Sequence, residues 1–102
     1  MSDLADPEIS VWQTIEQSAR NIFHRYGYAE VRTPILERTQ VFHRSLGEGT
    51  DVVQKEMYQF EDRGGRSLAL RPEGTAGVIR FVAGRLQAMQ NARLYYLGPM
   101  FR

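Results

Sequence analysis

The run LRPEGTAGVIR, Leu70 to Arg80, joins an apolar β-like stretch to an apolar helix-like one through Arg-Pro-Glu-Gly-Thr. Proline fixes φ and stiffens the exit from the strand, and glycine lets a ligand or another backbone come close. Glu73, between Pro72 and Gly74, is therefore a held carboxylate at the place where a sheet hands over to a helix. Two uses fit it. Thr75 is placed to cap the helix while Glu73 complements the positive end of its dipole. Equally, a fixed carboxylate beside a hydroxyl can receive a cation such as an α-ammonium through a charge-assisted hydrogen bond. The residues by themselves leave both uses open.

Working outward, Ser67 to Arg71 and Met57 to Phe60 read as two short strands around EDRGGR, Glu61 to Arg66, where Gly64-Gly65 permits the positive φ of a hairpin turn. After the junction, Thr75 opens a helix that carries Val78, Ile79, Val82, Ala83, Leu86 and Met89 on one side, with Gly77 and Gly84 lowering its propensity. Before the hairpin, Glu37 to Leu46 forms a short helix closed by Gly47, and GEGTD, Gly47 to Asp51, is a loop by composition. Ala29 to Leu36, AEVRTPIL, alternates like a strand, but Pro34 removes a ladder donor and places it at a sheet edge or subunit boundary. Asp6-Pro7 starts a first helix with Trp12, Ile15, Ala19, Ile22, Phe23 and Tyr26 facing a core, and Gly27 ends it. LYYLGPMFR, Leu94 to Arg102, is a strand interrupted by Gly98-Pro99; it stops inside an apolar run, as a cut chain would, and leaves an edge open to pairing. The order predicts an α+β fold, an antiparallel β-sheet flanked by helices.

Composition narrows the function. With 102 residues the chain is one domain in size, and its 42% hydrophobic and 25% charged residues are ordinary for a soluble protein. No apolar run reaches the roughly 20 residues of a membrane span. The absence of cysteine and of a basic, then apolar, leader points to the cytoplasm. Thirteen basic and 12 acidic residues, interspersed to a net charge of +1, give no footprint for independent nucleic-acid binding. His24 and His43 have no second ligand at metal spacing, so no metal site is expected. GEGT lacks the lysine and length of a P-loop. Arg102, at the end of an apolar strand, suits either solvent or the grip of carboxylate and phosphate oxygens.

Taken together, YGYAEVRTPILE (Tyr26 to Glu37), DVVQKEMYQFED (Asp51 to Asp62), LALRPEGTAGVIR (Leu68 to Arg80) and LYYLGPMFR (Leu94 to Arg102) resemble the front of a class II aminoacyl-tRNA synthetase catalytic domain, most nearly that of the histidyl-tRNA synthetase family. The resemblance runs in order from Trp12 to Arg102, and DLADPEISVWQ is similar to the family's N-terminal entry. It implies that residues 1–102 are an N-terminal fragment of a partial class II catalytic fold, holding motif 1 and the first half of motif 2. It implies a parent that is a ligase, activating histidine with ATP to histidyl-adenylate and transferring it to tRNA(His), with ATP and Mg2+ as the substrate complex, no tightly bound cofactor, and the fragment alone weak or inactive. Glu73 and Thr75 would hold the histidine α-amino group. Arg102 would bind the ATP α-phosphate and the amino-acid carboxylate in catalysis, and Pro34 would lie at a homodimer interface. A rival with the same resemblance is the regulatory subunit of ATP phosphoribosyltransferase, which senses histidine without aminoacylating.

Overall fold

The computed structural model describes residues 2–102 apart from residues 86, 87 and 89. Helix α1 spans Glu8–Arg25 and ends in Gly27 at φ +77°. There the amide of Gly27 donates to His24 O and that of Tyr28 to Phe23 O, the two bonds by which a left-handed glycine closes a helix. The start differs from expectation. Asp6 caps no backbone amide; its carboxylate accepts the Ser10 hydroxyl, and Pro7 precedes the first helical residue.

Strands β1 (Ala29–Glu30) and β2 (Leu36–Arg38) flank Pro34, which is exposed between them, so Ala29 to Leu36 is the ends of two strands rather than one. Helix α2 follows at Thr39–Leu46, closed by Gly47 at φ +88°. Glu37 and Arg38, expected in that helix, belong to β2. A single π-helical turn, Val52–Glu56, leads into β3 (Gln59–Glu61), β4 (Ser67–Leu70) and helix α3 (Thr75–Ala83); β5 is Leu94–Tyr95.

The main sheet is antiparallel, in the order β2-β4-β3. Leu36 pairs with Leu70 and Gln59 with Ala69, which puts β4 in the centre and aims its exit at α3. The predicted α+β architecture is thus present. One pairing departs from it: β1 and β5 run parallel, Ala29 opposite Leu94, and the expected long final strand is a ladder of two residues.

The core sits between the sheet and helices α2 and α3, on Phe42, Ala69 and Ala76, with Val41, Leu46 and Met57 packed against it. Helix α1 contributes no buried residue. Its expected core face is open, with Trp12 52%, Ile15 60% and Ile22 51% exposed. The reason is the absence of a facing layer in these residues; of that face Ala19 and Phe23 are half-buried, and Phe23 stacks on Tyr95 at 4.4 Å between ring centres. Helix α3 is also shorter than its periodicity suggests. It ends at Gly84 and buries Ala76 and Gly77, while Ile79 is 55% exposed. Leu86 and Met89 lie outside the described residues.

Candidate functional site

The junction after β4 is built from local chemistry. Pro72 is fully buried, so the turn out of the strand is fixed by packing as well as by its ring. Glu73 then folds back over the start of α3. Its Oε2 accepts the Thr75 amide at 2.6 Å, and both oxygens take the Ala76 amide, at 3.1 Å and 3.3 Å. Helix starts leave amides without partners, and a carboxylate there also complements the dipole. Capping is therefore performed by Glu73 and not by Thr75, which is the first helical residue. The half-buried carboxylate keeps acceptor capacity beyond these bonds, since an ionised carboxylate has about four lone-pair positions.

The exposed Thr75 hydroxyl is 3.0 Å from the Tyr96 hydroxyl. Gly74 explains how the tyrosine gets so close: a β-carbon there would sit 2.2 Å from the Tyr96 ring. The close approach expected at Gly74 is therefore made by an aromatic side chain. Tyr96 joins Glu73 and Thr75 in one constellation, and no local signal marks it because its partner is 21 residues away.

Arg71 was also missed. It is only 8% exposed, and its Nε donates to Pro99 O at 3.0 Å while Nη1 donates to Thr33 O at 3.1 Å. Its backbone amide donates to Ile35 O, and its carbonyl accepts the Phe101 amide, each at 2.9 Å. Arg102 is thereby attached next to the Phe101 bond, and Glu73 lies two residues beyond the Arg71 end of it. The Arg102 side chain is exposed and enters no hydrogen bond or ion pair among the described residues.

A depression of about 340 Å³ beside Arg71 is lined by Arg20, Arg32, Thr33, Tyr96 and Gly98 among others. Glu30 supplies the acid near its two outer arginines, 2.8 Å from Arg32 Nε and 3.6 Å from Arg20 Nε. The hydrogen bond from Arg32, with the two positive charges, holds the Glu30 carboxyl below the usual range. On the far side of α3, Arg80 Nε lies 3.1 Å from Oε2 of the buried Glu37, tying α3 to β2, although that oxygen has no aligned hydrogen bond.

GEGT is an ordinary turn, in which Thr50 bonds back to Gly47 O. Among the described residues no three His, Cys, Asp or Glu side chains gather as a metal site. None of their helices is long and apolar enough to cross a membrane.

A family model described as histidyl-tRNA synthetase matches residues 1–102, the whole chain. The chain belongs to the histidyl-tRNA synthetase family. It is 57% identical to a histidine–tRNA ligase of Geobacillus thermodenitrificans, over 98% of this chain and 24% of that protein. It is 54% identical to that of Trichlorobacter lovleyi, over 99% of this chain and 25% of the relative. The chain thus spans about a quarter of the length of these relatives. Among solved structures, apo histidyl-tRNA synthetase of S. aureus superposes with a TM-score of 0.82 at 39% identity, covering 100% of this chain and 28% of that one. A Bacillus halodurans structure described as an ATP phosphoribosyltransferase regulatory subunit/histidyl-tRNA synthetase also reaches 0.82, at 25% identity, with 100% and 26% covered. Within a histidyl-tRNA synthetase framework the chain is therefore part of a class II catalytic fold. The segments that carried the resemblance, RPEGT and YLGPMFR, are the two that Arg71 ties together.

Proposed function

We propose that this chain is the amino-acid-holding part of a cytoplasmic histidine–tRNA ligase, whose whole protein activates histidine with ATP and passes it to tRNA(His). The observation that carries the reading is the Glu73 carboxylate. Two backbone amides orient it at the start of α3, and a threonine hydroxyl stands beside it on the same turn. Amide donors lock the carboxylate in place before any ligand arrives, so its remaining lone pairs are presented without further ordering cost. An α-ammonium there gains a charge-assisted bond from Glu73 and an ordinary one from Thr75, whose hydroxyl still has acceptor capacity.

In the reaction, a histidine carboxylate oxygen attacks the α-phosphorus of Mg–ATP. The new P–O bond forms as the bond to the bridging oxygen breaks, and that electron pair leaves with pyrophosphate. Arg102 neutralises charge on the α-phosphate and the attacking carboxylate, a role suited to a planar fork of donors. Magnesium arrives with ATP as part of the substrate. On this proposal the 102 residues alone are weak or inactive, since they span about a quarter of the length of the ligases they resemble.

The test is amino-acid-dependent exchange between ATP and pyrophosphate in the full-length protein. Exchange with histidine and not with other amino acids supports the reading. Histidine binding without exchange favours the second reading, a histidine-sensing regulatory subunit of ATP phosphoribosyltransferase, for which the Bacillus halodurans likeness speaks. Pro34, exposed between β1 and β2, belongs to a homodimer interface on this proposal. Sedimentation should find a dimer that Pro34→Asp weakens, and a monomer at micromolar concentration would remove that part.

A further inference from the structure

We infer that Arg71 is a positioning residue: its buried guanidinium sets the arm Leu97–Phe101, and with it Arg102, against the Glu73 junction. The inference rests on the ligase reading above and adds a residue to it. After β5 ends at Tyr95, the arm has no strand pairing among the described residues. Two of the bonds that hold it come from Arg71, one from the side chain to Pro99 O and one from the backbone carbonyl to the Phe101 amide. The second side-chain bond, to Thr33 O, anchors the same guanidinium in the connection between β1 and β2. One side chain thus spans segments 28 and 38 residues distant in sequence.

The chemistry requires arginine. Lysine offers one ammonium point, whereas the guanidinium presents donors in a fixed planar fork that reaches two carbonyls in different directions. No carboxylate pairs with Arg71 among the described residues, so its charge is satisfied by backbone carbonyls in a site that is 92% enclosed by the 8% exposure above. Burying an arginine without a counter-ion is costly, and a fork merely filling space would be better served by an apolar side chain. Gly98 is shaped to the same end: a β-carbon there would lie 2.6 Å from Nη2 of Arg71. Glycine at 98 and arginine at 71 form one fitted contact. Glu73, by contrast, is held by its own helix start and needs nothing from the arm.

That asymmetry gives the test, made with full-length wild type, Arg71→Lys and Gly98→Ala. ATP–pyrophosphate exchange supplies KM for ATP and kcat. Calorimetry supplies the affinity for histidinol, which has the amine of histidine but no carboxylate, and urea unfolding supplies the folded fraction. Positioning predicts that both variants raise KM for ATP or lower kcat by about tenfold or more, while histidinol affinity stays within about threefold. A proportional loss of every signal, matching the folded fraction, assigns Arg71 to stability alone and overturns the inference. So does failure of both variants to fold, or unchanged ATP kinetics in either folded variant. Absence of histidine-dependent exchange in the wild type would instead strike the ligase reading, which separates the two failures.

Discussion

At Gly74 the space that a ligand could have used is taken by the ring of Tyr96, and no side chain fits between them. Gly74→Ala must push that ring away or shift the start of α3. Forcing a methyl into packed surroundings costs about 1–3 kcal/mol. The account therefore predicts a lower urea midpoint for Gly74→Ala, partly restored when Tyr96→Ala removes the clashing ring; no restoration would show that the backbone itself needs glycine. Residue-scale legibility followed sequence distance. Glu73 capping α3 is a bond across two or three residues, and such a use of the helix start is legible in the local sequence. Arg71 escaped notice because nothing within several residues of it signals partners at Thr33 and Pro99.

Among the elements, the hairpin β3-β4 is legible because its signals are local, alternating strands and a glycine pair, of which Gly65 takes the positive φ at +80°, although β3 runs Gln59–Glu61 rather than Met57 to Phe60. Asp62 completes it. Its carboxylate accepts the amides of Gly64 and Arg66 at 2.9 Å and 2.8 Å and the Arg66 guanidinium at 2.7 Å. The Arg66 backbone bond, followed by that side chain's hydrogen bond and charge, holds the Asp62 carboxyl below the usual range. Because the folded value lies under the unfolded one, the associated stability is complete above the ordinary aspartate value of about 3.9 and is lost as pH falls through the folded value. Urea midpoints at pH 6 and pH 3 should fall less in Asp62→Asn than in the wild type. Equal falls would show that Asp62 does not contribute to acid sensitivity. The parallel pairing of β1 with β5 was not legible, because two-residue strands far apart in the chain carry no periodicity that names their partner. The α1 stripe shows the converse: its periodicity formed the helix as read, but burial needs a facing surface, which these residues do not provide.

For the molecule as a whole, the radius of gyration is 16.0 Å, against about 13 Å for a compact chain of this length. The small core on Phe42, Ala69 and Ala76 and the open face of α1 express the same fact. What this looser body does tie together is the crossing of three backbone segments at Arg71, the end of β4, the β1–β2 connection and the arm, with Glu73 presented just beyond it. The family could be read from the sequence since RPEGT and YLGPMFR are distinctive as strings, but their physical connection exists only in three dimensions. The most direct measurement of the central claim is calorimetric titration of histidine into the full-length protein, wild type against Glu73→Gln, with urea unfolding of each. Glutamine keeps an oxygen for the Thr75 and Ala76 amides and loses the charge, at a stability cost of about 0.3–1 kcal/mol. Losing a hydrogen bond to a charged group should weaken histidine binding about tenfold to a hundredfold. Unchanged affinity, whatever happens to the unfolding midpoint, would reduce Glu73 to the cap of a helix and contradict the account.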